Sequence, residues 1–314
     1  MKKFLPTALG AAMAVAAGTA SALPVFEVGG NDLGFFAYEN QYRTIANCAA
    51  GGCLAADPTN DPAGFQRVDP TIAGNIAVGD IFAGVLNVRD IAHNISGTFW
   101  NSTATDQFTG YFAQEITAIN LNFGGDPTVA QLVFSAPTVD PFGLLAANEM
   151  FRFYTDTTTQ INTAGTTATS IASATNGTFW GSLGIVGGYN YTIDNITISG
   201  AGNFNDKNYA ALNIVTEGPS YNAGFLSLVN DLSESVVGGV TANLLCSPAE
   251  IAAGAICTDF AGQSDIRRNP ATTNSPWYYL ANDPLSSITV PEPGSLALLG
   301  LGMLGLATSR RRKV

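Results

Sequence analysis

Basic side chains are scarce in this chain. It holds 13 Lys and Arg against 24 Asp and Glu, and one histidine. Between residues 23 and 290 the basic residues are Arg43, Arg67, Arg89, Arg152, Lys207, Arg267 and Arg268 alone, whereas every carboxylate lies between Glu27 and Glu292. A surface of this balance repels phosphate backbones and anionic lipid, which excludes nucleic acid as a partner. It attracts divalent cations or basic polymers, and its simplest consequence is the solubility of an exported chain.

Catalytic signatures are missing as well. His93 is the single histidine, so no H-E-x-x-H helix can form. A Ser-His-Asp site would have to use His93 with a neighbour such as Asp90, and no Gly-x-Ser-x-Gly elbow accompanies it. No phosphate-binding glycine loop precedes a helix. No catalytic residue is therefore assigned, and His93→Ala is expected to leave any activity intact. A glycosidase needs only two carboxylates, and nothing in the sequence marks two of the many here as a pair. Zinc is disfavoured by the lack of C-x2-C spacing and by a single histidine, and no metal ligands are assigned.

Four cysteines in an exported body suit disulfides in an oxidising space. Of three connectivities, the local one is expected: Cys48 with Cys53 across Ala49-Ala50-Gly51-Gly52, and Cys246 with Cys257. Calcium is the one inorganic cofactor the composition leaves room for, although none is assigned. Asp57, Asn60 and Asp61 share a proline-bounded loop, and Asn203, Asn205, Asp206 and Asn208 follow a glycine pair. Those residue types also make ordinary turns. Sequons begin at Asn94, Asn101, Asn176 and Asn195 and read as turn and strand composition.

Gly, Ser, Thr and Asn are abundant and lysine nearly absent, which disfavours helix. Strands are expected at Gln114–Phe123, Gln131–Ser135, Glu149–Thr155, Tyr191–Ser199 and Ala211–Thr216, punctuated by Gly, Asn, Asp and Pro. In the first, Ile119, Leu121 and Phe123 share a face with Glu115 and Thr117. Ile76–Val88 reads as strand-turn-strand, on the strength of Gly79-Asp80 and Gly84. Thr155–Thr178 reads as a long loop or weak strand pair, and Ser247-Pro248-Ala249-Glu250 as a capped helix start. Gly-Thr-Phe-Trp occurs at 97–100 and 177–180, and reads as two strand starts whose aromatics enter one core. With no alternating βα pattern, the fold class is all-β: an antiparallel β-sandwich, jelly-roll-like, with at most one or two short helices in the body and short helices in the terminal signals.

The two ends differ from the body. Lys2 and Lys3, the apolar stretch Phe4–Gly18 and Ala20-Ser21-Ala22 have the form of a signal peptide cut after Ala22; an uncleaved anchor is the alternative. At the other end stand Pro291-Glu292-Pro293, an uncharged run from Ser295 to Thr308, and Arg310-Arg311-Arg312-Lys313. As a helix that run spans roughly 21 Å against a hydrocarbon core of about 30 Å, short for a permanent anchor. The basic cluster favours the cytoplasmic side, so the body lies outside the cytoplasmic membrane. The domains are thus residues 1–22 as signal peptide, 23–290 as β body, of one or two units, and 291–314 as a sorting signal with a short transmembrane helix.

This tail resembles the PEP-CTERM signal of Gram-negative surface proteins. The resemblance implies an exosortase and the export machinery as partners, removal of the tail, and a path from an inner-membrane intermediate to the cell surface or extracellular matrix. An ordinary tail anchor that is never cut is the competing reading. The resemblance also implies a non-enzymatic structural or adhesive role linked to exopolysaccharide and to biofilm or floc formation. A secreted carbohydrate-active hydrolase is the alternative. Exposed aromatics on one sheet face, drawn from Trp100, Trp180, Trp277, Tyr278 and Tyr279, favour glycan binding; two carboxyl groups about 5–10 Å apart in a cleft favour hydrolysis.

Overall fold

The computed structural model describes residues 29–72, 74–93, 97–122, 125, 127–157, 160–185, 191–195, 206–218, 226–228, 231–237, 240–245, 260–268 and 275–291. The signal peptide, the segment from Glu292 onward and the helix start at Ser247–Glu250 lie outside the described residues, as do Cys246 and Cys257.

The described chain is built of antiparallel strands, as its composition implies. Strand β1 (Gly29–Thr44) ends in a single helical turn, α1 (Ile45–Cys48), and is joined along its far part by the short β2 (Phe65–Arg67). It pairs with β3 (Ile81–His93), whose last residues also carry β4 (Gly97–Asn101). Strand β3 pairs with β5 (Gln107–Leu121). The outer edge of β5 is shared by β6 (Val129–Ser135) and β7 (Phe151–Asp156), and these pair in turn with β9 (Tyr191–Asn195) and β8 (Thr178–Ile185). Both β8 and β9 pair with β10 (Asp206–Glu217). A short β11 (Leu226–Leu228) and a hairpin of β12 (Asp231–Val237) and β13 (Val240–Leu245) precede β14 (Phe260–Arg268), which pairs with β10. The last strand, β15 (Tyr279–Pro291), lies between β14 and β1.

The path therefore returns to its start, and the two faces of the sandwich are one continuous ring. Around it the strands follow chain order, with β6/β7 and β8/β9 each acting as one interrupted strand. This is an up-and-down meander. A jelly roll would instead require Greek-key crossings, which this strand order does not contain. The closing pair, β1 with β15, joins residues at opposite ends of the sequence, and closure removes the exposed edges that an open sheet of this length would carry.

Phe108, Phe112, Phe134, Phe153, Trp180 and Phe260 fill the interior with Leu86, Ile91, Leu132, Leu183 and Leu212. Phe108 meets Trp180 edge-on at 5.0 Å between ring centroids. Trp100 and Trp180, the two tryptophans of the repeated tetrapeptide, belong to this one core. Ile81 to Val88 is apolar on both faces for a reason: Phe82, Leu86 and Val88 point inward, while Ile81, Ala83 and Val85 join a second core outside. That outer core is covered by helix α2 (Thr167–Thr175), through Ile171 and Ala174.

Helix α2 corrects the reading of Thr155–Thr178 as a loop or weak strand pair. Thr166 caps the helix by accepting from the Thr169 amide, and Thr169 returns the bond in a capping box. Only two apolar residues are needed to dock it on an existing sheet, so the low apolar mass of the segment did not announce it.

Two further expectations are corrected by local geometry. A bulge between Ile116 and Ala118 shifts the alternation of β5. Phe112 and Ile116 face the core on even positions, Ile119 packs against it on an odd one, and Leu121 is exposed. The turn at Gly79-Asp80 exists, with Gly79 at φ +89°, but β3 then runs straight through Gly84. Gly84 serves a close approach between strands. A Cβ there would lie 1.9 Å from the Tyr38 carbonyl oxygen and 2.7 Å from the Glu39 Cα. Gly84→Ala is expected to destabilise the protein by about 3 kcal/mol, since backbone must move to admit the methyl. Urea unfolding of the two proteins checks it.

Candidate functional site

Two places gather the residues of interest: the end of the barrel where β1 finishes, and the seam where β1 meets β15.

At the first, the inward column of β1 changes from apolar to polar. Ala37 lies in the main core, and Glu39, Gln41 and Arg43 follow at spacings of two on the same face. Arg43 grips Asp80 with two parallel bonds, Nε to Oδ1 and Nη2 to Oδ2, each 2.7 Å. The same carboxylate accepts from Gln41 Nε2 at 2.7 Å and from the Ala77 amide at 2.9 Å. Asn75 accepts from Arg43, and its amide donates to the carbonyls of Gly52 and Asp69. The network ties residues 45–80 over this end of the barrel.

Glu39 sits one position inside that plug. It is fully buried, directly opposite Gly84 on one neighbour and Tyr279 on the other. Its Oε1 meets no hydrogen-bond donor. Loss of solvent pushes its carboxyl up from 4.5 to about 8, so at neutral pH it is a neutral acid.

Cys48 and Cys53 are bonded, closing the short loop that the plug holds. Because the loop is short, reduction or replacement of both by Ser is expected to cost roughly 2 kcal/mol, the low end for a disulfide. Thermal melts with and without reductant, on a chain whose Cys246 and Cys257 are already replaced, measure that cost alone.

The loop proposed for calcium is occupied by a guanidinium. Arg67 Nε bonds Asp61 at 2.8 Å and Arg67 Nη2 bonds Asp57 at 2.8 Å, while Asn60 Nδ2 also donates to Asp57. That bond from Asn60 is the largest influence holding the Asp57 carboxyl below its ordinary range. Asn60 also receives the Thr167 amide and hydroxyl, which fastens this loop to the start of α2. Arg67 thus takes the place a cation would have between the carboxylates. Among the described residues no group of three His, Cys, Asp or Glu is placed to hold a metal ion. Asn203 and Asn205, and the side chains of Asp206 and Asn208, lie outside the described residues.

The aromatics considered for glycan stacking are core residues. Trp100, Trp180, Trp277 and Tyr279 are all buried, and only Tyr278 is half-exposed, with the Arg67 guanidinium 5.7 Å from its ring centroid. For Trp100 and Trp180 this is the core placement expected of the repeated Gly-Thr-Phe-Trp units. Asp90 lies within β3 and is bound by Arg89 at 2.7 Å. The backbone of His93 pairs with Asn31 and Gly97; its side chain lies outside the described ones.

At the seam, β15 carries the first residue of the Pro-Glu-Pro unit. Thr289 stands opposite Gly29 of β1 on one side and Leu228 of β11 on the other. Val290 faces Ser227, and Pro291, where the strand ends, faces Leu226. Glu292, Pro293, Arg310, Arg311, Arg312 and Lys313 lie beyond, and Ala20 and Ala22 before, the described residues. Among the described residues no helix is long and apolar enough to cross a membrane.

The tail itself is recognised by comparison. A family model for the PEP-CTERM protein-sorting motif matches residues 289–313. The chain thus carries the C-terminal signal of proteins that are exported across the membrane to the surface or beyond and sorted by an exosortase. No curated protein matches the chain, and no solved structure does.

Proposed function

We propose that this chain is a non-enzymatic structural component of the cell surface or extracellular matrix, adhesive in its effect and associated with exopolysaccharide in biofilm or flocs. The leader is cut after Ala22, and the tail is removed after export. The observation that carries the reading is the sorting motif at residues 289–313, set directly on a closed antiparallel barrel. The carboxylates of the 57–61 loop are held by Arg67, which speaks against their use in hydrolysis, and the tryptophans are committed to the core, so contact with exopolysaccharide does not run through their rings. Gly29, the first described residue, lies beside Thr289, so the chain enters and leaves the barrel at one end. The opposite end, held by the Arg43–Asp80 network and the Cys48–Cys53 loop, is then the part presented to the surroundings.

A deletion strain of the native producer, scored for aggregation and matrix retention against a complemented strain, tests the role. Loss of cohesion restored by the wild-type chain is the expected result. Unchanged cohesion, together with hydrolysis of a polysaccharide by the purified protein, would replace this reading with the hydrolase.

A further inference from the structure

Glu39 lies between the apolar core and the polar network that closes one end of the barrel. On its own face of β1, Ala37 of the main core precedes it, and Gln41 and Arg43 follow it. Across the register it faces Gly84 of β3, which has no side chain, and Tyr279 of β15. The nearest polar group of β5 by register is Gln114, opposite Phe82. Arg268 of β14 stands opposite Tyr279, and its side chain lies outside the described ones. The covering segment contributes Asp80, which is held by Arg43 and Gln41. Glu39 Oε1 meets no donor, while the donors next along its strand are spent on Asp80, Asn75 and the Asn75 carbonyl.

A carboxylate formed in such a place draws in water by whichever opening costs least. Through the core, water enters only if the ring breaks. From the other side it enters when the Asp80 carboxylate lets go of Arg43 and Gln41 and the described residues between Ile45 and Asp80 lift away. From this placement we infer that this segment is a proton-gated cap: loss of the Glu39 proton lifts it from the end of the barrel while the ring below stays closed. The Glu39 carboxyl titrates at about 8 when covered, against 4.5 when exposed. Between those values the open form has released a proton that the closed form keeps, so the opening constant rises about tenfold per pH unit. Below 4.5 both forms hold the proton and above 8 both have lost it, so the constant is level there. The cap is tightest in acid and loosest in mildly alkaline surroundings. It acts at the end of the barrel remote from Gly29 and Thr289, and the seam between β1 and β15 takes no part.

The test is hydrogen exchange of the exported protein between pH 5 and 7.5, with each rate divided by its intrinsic rate at that pH. Two amides fasten the cap to the barrel and report its opening: Val68 to the Gln41 carbonyl and Gly79 to the Ile116 carbonyl, each at 2.8 Å. Two others report the ring: Ala113 to the Met150 carbonyl at 2.9 Å and Met150 to the Leu183 carbonyl at 2.8 Å. The cap amides should open more readily than the ring amides at every pH, and their opening constant should rise about tenfold per unit. In Glu39→Gln, which keeps the shape without the titration, the cap amides should show no such rise. A cap opening constant independent of pH in the wild type, with the slope confined to Ala113 and Met150, would mean that Glu39 meets water only when the whole barrel unfolds. Equal opening constants at all four amides would mean that the cap does not open by itself. A slope that persists in Glu39→Gln would belong to another group. Each of these three results overturns the inference.

Discussion

Glu39→Gln should make the protein more stable, and the gain should grow with pH. The Glu39 carboxyl is buried with an unmatched Oε1 and titrates near 8 in the folded state against 4.5 in the exposed chain. Below about pH 4.5 both states hold the proton, and the group has no pH-dependent effect. Between 4.5 and 8 the unfolded chain releases the proton while the folded chain keeps it, so the unfolded state binds fewer protons and stability falls as pH rises. Above 8 both are ionised and the loss is complete, about 5 kcal/mol as an upper bound. Glutamine keeps the shape and abolishes the titration. The difference between variant and wild type in urea unfolding should therefore be small at pH 4.5 and reach a few kcal/mol at pH 8.5. Taking the difference cancels the opposite slopes of the ion-paired carboxylates. Parallel curves across that range would mean that the carboxyl is solvated or paired.

Asp80→Ala should be among the most damaging single changes. It removes the two carboxylate oxygens that hold the Arg43 guanidinium, leaving Arg43 its bond to Asn75, and takes one acceptor from Gln41 and the acceptor of the Ala77 amide. A buried cation left without its partner costs about 3–5 kcal/mol. The pair itself adds less than that to stability, because both charges lose water on folding. Arg43→Met combined with Asp80→Leu should accordingly recover much of the loss. A double variant as unstable as Asp80→Ala would show that the damage lies in the lost anchoring of residues 75–80 rather than in the orphaned charge. Chemical denaturation of the single and double variants separates the two.

The strand-rich class was legible because alternation and turn residues are local signals. What the sequence concealed depended on partners far along the chain. Closure of the ring requires β1 to find β15, a pairing no local pattern specifies. The bulge after Ile116 inverts the face of Ile119 and Leu121, and nothing in Glu115-Ile116-Thr117-Ala118 marks it. Helix α2 is docked by Ile171 and Ala174 on a surface supplied by β3 and β5, so its own composition looked too polar to fold. Glu39-Asn40-Gln41 has the composition of a turn, yet it lies within a 16-residue strand whose inner face becomes a polar plug toward its end. The loop with Asp57, Asn60 and Asp61 was correctly seen as a cluster of oxygen ligands. Its cation is Arg67, six residues past Asp61 and brought back by β2. The sorting signal was the most legible feature, since its parts act through order and charge rather than through folding.

The most direct measurement of the central claim is the intact mass of the protein released from the surface of the native producer, set beside the protein held in the inner membrane when processing is blocked. An exported, tail-processed surface protein predicts that the released form lacks the apolar run and the four terminal basic residues, while the membrane form retains them. A released form carrying the whole tail through Val314 would contradict the account and leave a simple tail anchor in its place.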